Sequence, residues 1–385
     1  MNKTINHIVA VVIAQASMAL MPALSNAGNW VADYSFSADA TYDDNFFMSQ
    51  QEQDTWIYSV KPEASLIYVS PVARSELEAK IAVKRYSEFG QFDSEDPAFD
   101  WKNSYKTKRS TWFMDLGYSE SSQRDAAEQD VGVFDSNTIV KTLYVDPGVD
   151  IEITERDQLG ISLHYNQRDY DANDFSDNDN QSIGLDWQHR LNEVLTTTAM
   201  VSASNYSADR SGISSNETDY LQTTIGFIYK YSEAMTIDGS AGYFETDAEA
   251  KFFAGPILLI TQSERNGALL NLGVNYDYEK DNFSFSLSRG LYPSSFGEVE
   301  QRDSVGLGYE HQFSGRSSSG INISWYNTDA LSDERESLSV SPFYRYRLTE
   351  KLQLNTSYIF RRYDRQTILN EVDSNRVNVG LRYSF

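Results

Sequence analysis

Four histidines, 56 Asp and Glu, 32 Lys and Arg and no cysteine set the chemistry open to this 385-residue chain. Without Cys there are no disulfides, thiol nucleophiles, Cys-ligated zinc sites or iron–sulfur clusters. Proton-transfer catalysis needs a His within reach of an Asp, Ser or Asn. His7 falls in residues 1–27, expected to be removed as a signal peptide, which leaves His164, His189 and His311. His164 follows Ser162 on one side of a two-residue alternation, the reverse of a His-x-Ser order; His189 and His311 fall on the apolar side. No catalytic residue and no enzymatic activity are expected from them. The Asp- and Asn-rich run 169–180 offers oxygens of the kind calcium takes. Phe175 and Ser176 stand there where an EF-hand needs a ligand and a glycine, so no metal is expected, and no cofactor.

The remaining reactive groups are charges in strand-like alternation. Arg345, Arg361, Arg376 and Arg382 share one parity near the C-terminus, and Lys80 and Lys84 extend the same set. Asp115, Asp146, Asp150 and Asp186 share the corresponding parity on other segments. Facing water in a channel, two such walls would set a transverse field and select permeant ions. They would equally serve as a solvated wall of local pairs. Tyr144, Tyr206, Tyr220 and Tyr326 share the polar parity, either as flat surfaces for sugar rings or as braces for the arginines. The net charge of −24 excludes a nucleic-acid partner, which would need a basic face.

Strands must position these groups. Trp30, Ala32, Tyr34, Phe36, Ala38, Ala40 and Tyr42 alternate with polar residues, and the pattern recurs to the C-terminus. Period two places the two sets on opposite faces of a strand. No sustained helical period appears. The reading is all-β: a transmembrane antiparallel β-barrel of about 18 strands, 16 being the alternative. Short turns such as Ser70-Pro71 and Lys280-Asp281 alternate with longer acidic loops, for example 43–54, 120–135 and 247–264. That alternation places turns in the periplasm and loops outside. Aromatics gather at both ends of the apolar face, Trp30 and Trp112 toward the turns, Trp56 and Trp325 toward the loops, as two bilayer interfaces require. Residues 1–27, with Lys3, the apolar stretch Ile8 to Met21 and Ser25-Asn26-Ala27, read as a secretory signal peptide. Residues 28–385 are then the barrel, with no periplasmic domain expected.

The final strand alternates Val377, Val379, Leu381, Tyr383 and Phe385. An aromatic at the last position and another two before it suggest an assembly signal, with the outer-membrane assembly machinery as partner. Phe252, Phe253 and Ile257 to Ile260 form an apolar run inside an otherwise acidic region. The favoured expectation is a constriction folded into the lumen; the alternative is an extended hairpin against lipopolysaccharide.

Several stretches resemble the outer-membrane β-barrel porin family found beside exopolysaccharide biosynthesis clusters. They are Tyr42-Asp43-Asp44-Asn45-Phe46, Tyr105-Lys106-Thr107-Lys108-Arg109-Ser110, Ile153-Thr154-Glu155-Arg156-Asp157, Pro293-Ser294-Ser295-Phe296-Gly297-Glu298 and Tyr344-Arg345-Tyr346-Arg347-Leu348-Thr349-Glu350. Phe46-Phe47 is bulkier than that pattern. The resemblance implies a pore in the outer membrane of a Gram-negative bacterium that secretes an exopolysaccharide or capsular polysaccharide. The implied partners are outer-membrane lipid, lipopolysaccharide, and periplasmic or inner-membrane export proteins, with polysaccharide as permeant. The alternative is a general or oligosaccharide-selective diffusion porin; a barrel hydrolase or an adhesin ranks below both.

Overall fold

A computed structural model describes residues 28–126, 133–254, 257–329, 334–365 and 369–385; the signal-peptide reading of 1–27 lies outside them. The alternation resolves into β1 (Asn29–Asp43), β2 (Thr55–Val69), β3 (Ala73–Tyr86), β4 (Ser94–Lys106), β5 (Ser110–Ser122) and β6 (Ile139–Glu152). Next come β7 (Asp157–Tyr170), β8 (Asp177–Arg190), β9 (Leu195–Arg210), β10 (Ser214–Lys230), β11 (Met235–Ala254) and β12 (Ile257–Tyr278). The last six are β13 (Asp281–Pro293), β14 (Val299–Ser314), β15 (Ser317–Asp329), β16 (Glu334–Arg347), β17 (Leu352–Arg365) and β18 (Leu369–Ser384). A short helix, α1 (Gln123–Ala126), follows β5, and a 3₁₀ turn (Gly90–Phe92) precedes β4.

Each strand pairs antiparallel with its neighbours in sequence, and β1 closes on β18 from Ser35↔Ser384 to Asp43↔Arg376. The result is a closed 18-stranded antiparallel barrel. Closure pairs the backbone of every strand with no lipid-exposed edge, which the hydrocarbon layer demands. The outward face carries the large apolar side chains. Ile225 is 73 % exposed, and Trp30, Trp56 and Trp187 are more than two-fifths exposed. Lipid covers such a surface in an outer-membrane barrel, and the chain is one.

Two features depart from the sequence reading. The 120–135 region, expected as a loop, begins with the last residues of β5 and the short helix α1. The 247–264 region is not the favoured lumen constriction but the extended β11–β12 hairpin named as the alternative. β11 and β12 continue through it, with Lys251↔Ile260, Phe252↔Leu259 and Phe253↔Leu258 in register. Above the bilayer both faces of a ribbon are wet, so the polarity alternation that marks a strand vanishes while the hydrogen-bond ladder continues.

Candidate functional site: the charged lumen

At the outer mouth the chain folds inward from two sides. On the first side Asp43, at the end of β1, is fully enclosed and receives three arginines. Arg376, its register partner on β18, lies 2.5 Å away; Arg361 of β17 lies 3.3 Å away and Arg124 of α1 3.5 Å away. Ser374 donates to the other carboxylate oxygen at 2.7 Å. Arg124 also donates to the Phe46 carbonyl and lies 4.4 Å over the Phe46 ring. Burial, then the Arg376 and Arg361 cations, push the Arg124 proton affinity down, and Asp43 opposes this. Phe46 packs with Tyr86 and Phe92 in one apolar cluster; Met48, Phe134, Tyr363 and Val372 form a second. Phe134 belongs to the β5–β6 connection, yet its ring meets Tyr363 of β17 at 5.3 Å. The described ends of this connection, Arg124 and Phe134, therefore reach across the mouth to β1 and β17. Met48 takes a left-handed backbone (φ 47°), held by its burial in that cluster.

On the second side the β13–β14 connection reaches the β7–β8 turn, β9 and β10. Tyr206 donates to the Ser294 carbonyl at 2.9 Å, Asn216 to the Gly297 carbonyl at 2.5 Å, and the Ser176 amide to the Ser295 carbonyl at 3.0 Å. Phe296 stacks on Phe175, with centroids 6.1 Å apart. The turn needs a glycine: Gly297 has φ 87°, and a Cβ there would sit 3.1 Å from that of Ala208. Beside this strap Glu300 and Arg335 form a buried ion pair. Arg302 lies over Tyr292 (3.7 Å) and Tyr326 (4.7 Å).

Lower down, one inward-facing row crosses five strands in register: Lys102 of β4, Asp115 of β5, Asp146 of β6, His164 of β7 and Ser182 of β8. The Asp146 carboxylate meets His164 Nδ1 at 2.5 Å. A catalytic triad would add a hydroxyl on the other imidazole nitrogen to such a pair. Among the described residues no hydroxyl hydrogen-bonds the other imidazole nitrogen, and Ser162 leans over Gly184 instead. Asp150 and Asp186 both lie directly across from Gly160. A Cβ at Gly160 would fall 2.0 Å from the nearer Asp186 oxygen, so glycine makes room for that carboxylate.

The expected basic wall is two tiers. Arg361 and Arg376 belong to the outer cluster on Asp43, and Arg361 is 2 % exposed. Lys84 joins that level through Asp96 (2.7 Å) and Asp125. Lys80 pairs with Glu78 at 2.9 Å. Arg345 and Arg382 form the inner tier at the periplasmic mouth. With Arg316, Arg347, Gln353 and Glu310 they line a recess of about 560 Å³. Arg345 holds Glu310 at 3.0 Å; Arg382 reaches Glu63 at 3.2 Å and Ser35 at 3.1 Å. Four guanidinium groups thus face two carboxylates in and beside this recess. Tyr383 and Phe385 sit on the outward face, rings 4.9 Å apart, and the Phe385 amide donates to the Tyr34 carbonyl at 3.0 Å.

Sequence reasoning passed over Asp43, Arg124, Glu300, Arg335, Arg316 and Arg347. One more step of the β1 parity, from Asp39 through Thr41, leads to Asp43. Nothing local marks Arg124, which reaches across the mouth to β1. The 169–180 run ends β7, turns over 171–176 and begins β8. Its turn is anchored by Phe175 against Tyr170, and no metal-ligating cluster occurs among the described residues.

No family of sequences matches the chain, and neither does any curated protein. Solved structures do. The FrpB iron transporter of Neisseria meningitidis is 9% identical with TM-score 0.52, over 96% of this chain and 83% of that one. OccAB4 of Acinetobacter baumannii is 11% identical (TM-score 0.48, 94% and 100%). OpdK of Pseudomonas aeruginosa, solved with vanillate, is 10% identical (TM-score 0.48, 92% and 99%). At these identities the likeness is one of fold.

Proposed function

We propose that the barrel is an outer-membrane diffusion channel for small carboxylate-bearing solutes. The observation that carries this reading is the arginine recess at the periplasmic mouth. Arg316, Arg345, Arg347 and Arg382 surround it with Glu310 as the acidic group of its lining. A guanidinium presents a planar fork that matches a carboxylate. Facing water, this tier attracts anions at no desolvation penalty to the barrel. The outer mouth supports a small permeant, because two packed segments reach across it and are held by buried ion pairs and ring contacts. Export of an acidic polysaccharide would require those segments to part along the whole polymer's passage.

The test is reversal potential in planar bilayers under a potassium chloride gradient, with liposome flux of succinate and gluconate. Arg345→Ser with Arg382→Ser should lower the anion-to-cation permeability ratio several-fold and slow both organic anions. Arg361 and Arg376 are left intact, since they hold Asp43. An unchanged ratio would remove the recess from function. Passage of a ten-unit oligogalacturonate through the wild-type barrel would restore the export reading.

A further inference from the structure

Above residue 270 the strand β12 has, among the described residues, a partner strand on one side alone. β11 pairs with it as far as Ala254↔Ile257, whereas β13 pairs with it from Leu270↔Arg289 downward. β13 leaves because its hairpin with β14 turns into the lumen toward Tyr206. Among the described residues no backbone hydrogen bond meets the outer edge of 257–269. Alternate residues of such an edge present their N–H and C=O groups to a further strand. Neither proline nor bulge guards it, and Arg265, its one cation, lies 3.6 Å from Asp329.

The edge ends in an apolar tip. Phe252, Phe253, Leu258, Leu259 and Ile260 are each 45–56 % exposed. From the periplasmic end of β12 at Tyr278 the tip at Ile257 lies roughly 70 Å along the strand, or about 50 Å along the barrel axis at the usual strand tilt, well over the roughly 30 Å of the hydrocarbon layer. The tip is therefore beyond the membrane. Beneath it the outward face is acidic: Glu217, Asp219, Asp247, Glu249 and Glu264 line a recess of about 720 Å³. That charge repels the phosphates of lipopolysaccharide and attracts a cationic chain.

We propose that this edge binds an extended segment of another protein, basic and apolar in alternation, by strand addition. The backbone ladder supplies affinity. Its apolar side chains, on one face, meet Ile257 and Leu259, and its basic ones, on the outward face, meet Glu264.

The experiment uses the full-length barrel in nanodiscs and the peptide (Lys-Val)₅ as probe. Saturable binding is expected, with amide hydrogen exchange slowed at least tenfold at alternate positions of 257–269. The same peptide N-methylated at alternate residues should bind at least tenfold more weakly, as should (Glu-Val)₅. The double variant Leu258→Lys, Ile260→Lys, checked as folded by heat-modifiable mobility, should lose binding to a similar degree. No saturable binding, no protection at the edge, or equal binding of the N-methylated peptide would overturn the proposal. So would protection by purified lipopolysaccharide and not by the peptide.

Discussion

The hydroxyl of Tyr206 donates 2.9 Å to the carbonyl oxygen of Ser294, 88 positions along the chain, and both residues are buried. One phenol on β9 thereby pins the connection between β13 and β14 across the mouth. Tyr206→Phe should release that carbonyl at a penalty of about 1–3 kcal/mol to the strap. The barrel itself should melt almost unchanged. Single-channel recordings should show higher conductance or more frequent opening, whereas deleting the hairpin tip 252–260, which lies outside the lumen, should leave conductance as it is. Identical traces for Tyr206→Phe and wild type would mean the strap does not limit flow.

Asp43 is the shared counter-ion of three arginines. Asp43→Asn keeps the shape and leaves those cations buried without their carboxylate. Breaking a buried pair in this way costs about 3–5 kcal/mol. The midpoint of heat-modifiable unfolding on semi-native gels should fall clearly. Arg376→Met, which removes one cation and leaves two, should fall less. Equal midpoints for all three proteins would contradict the assignment of Asp43 as the anchor of the outer mouth.

Gly160 and Asp186 are a steric pair. Gly160→Ala should force the carboxylate away and destabilise the barrel by about 1–3 kcal/mol. Asp186→Ser in the same chain should recover most of the loss, because the smaller side chain leaves room for the added methyl. A urea-unfolding double-mutant cycle in micelles measures this coupling. Additive effects of the two changes would refute the contact.

Phe385 projects from the end of β18 onto the lipid face. Deleting it, or making Phe385→Asp, should reduce folded protein in outer-membrane fractions several-fold and increase periplasmic degradation. The barrel seam, built from Ser35↔Ser384 upward, does not need the ring for pairing. Refolding in detergent should therefore be close to normal. Full outer-membrane levels would exclude an assembly role for the terminal residue.

The alternation of Trp30 to Tyr42 and its recurrence determined the barrel, its strand number and which side chains face inward. The reason is physical: lipid on one face and water on the other impose period two on every residue that crosses the bilayer. The same rule explains where the sequence fell silent. Beyond the bilayer, in β11 and β12 above Leu270, both faces are wet, so Phe252 and Ile260 read as an inserted loop although they sit in one continuous ladder. The inward fold of 294–298 was hidden for a related reason. Ser294, Ser295 and Gly297 are ordinary turn residues, and only their meeting with Tyr206, Ser176 and Asn216, all distant in sequence, carries them across the mouth. Parity assigned Arg345, Arg361, Arg376 and Arg382 to one wall, because parity reports a face and nothing about depth. Tertiary structure decided that two of them clamp Asp43 at the outer mouth while two line the recess at the inner one. Strand tilt and loop closure set depth and partner, and these depend on contacts between residues hundreds of positions apart.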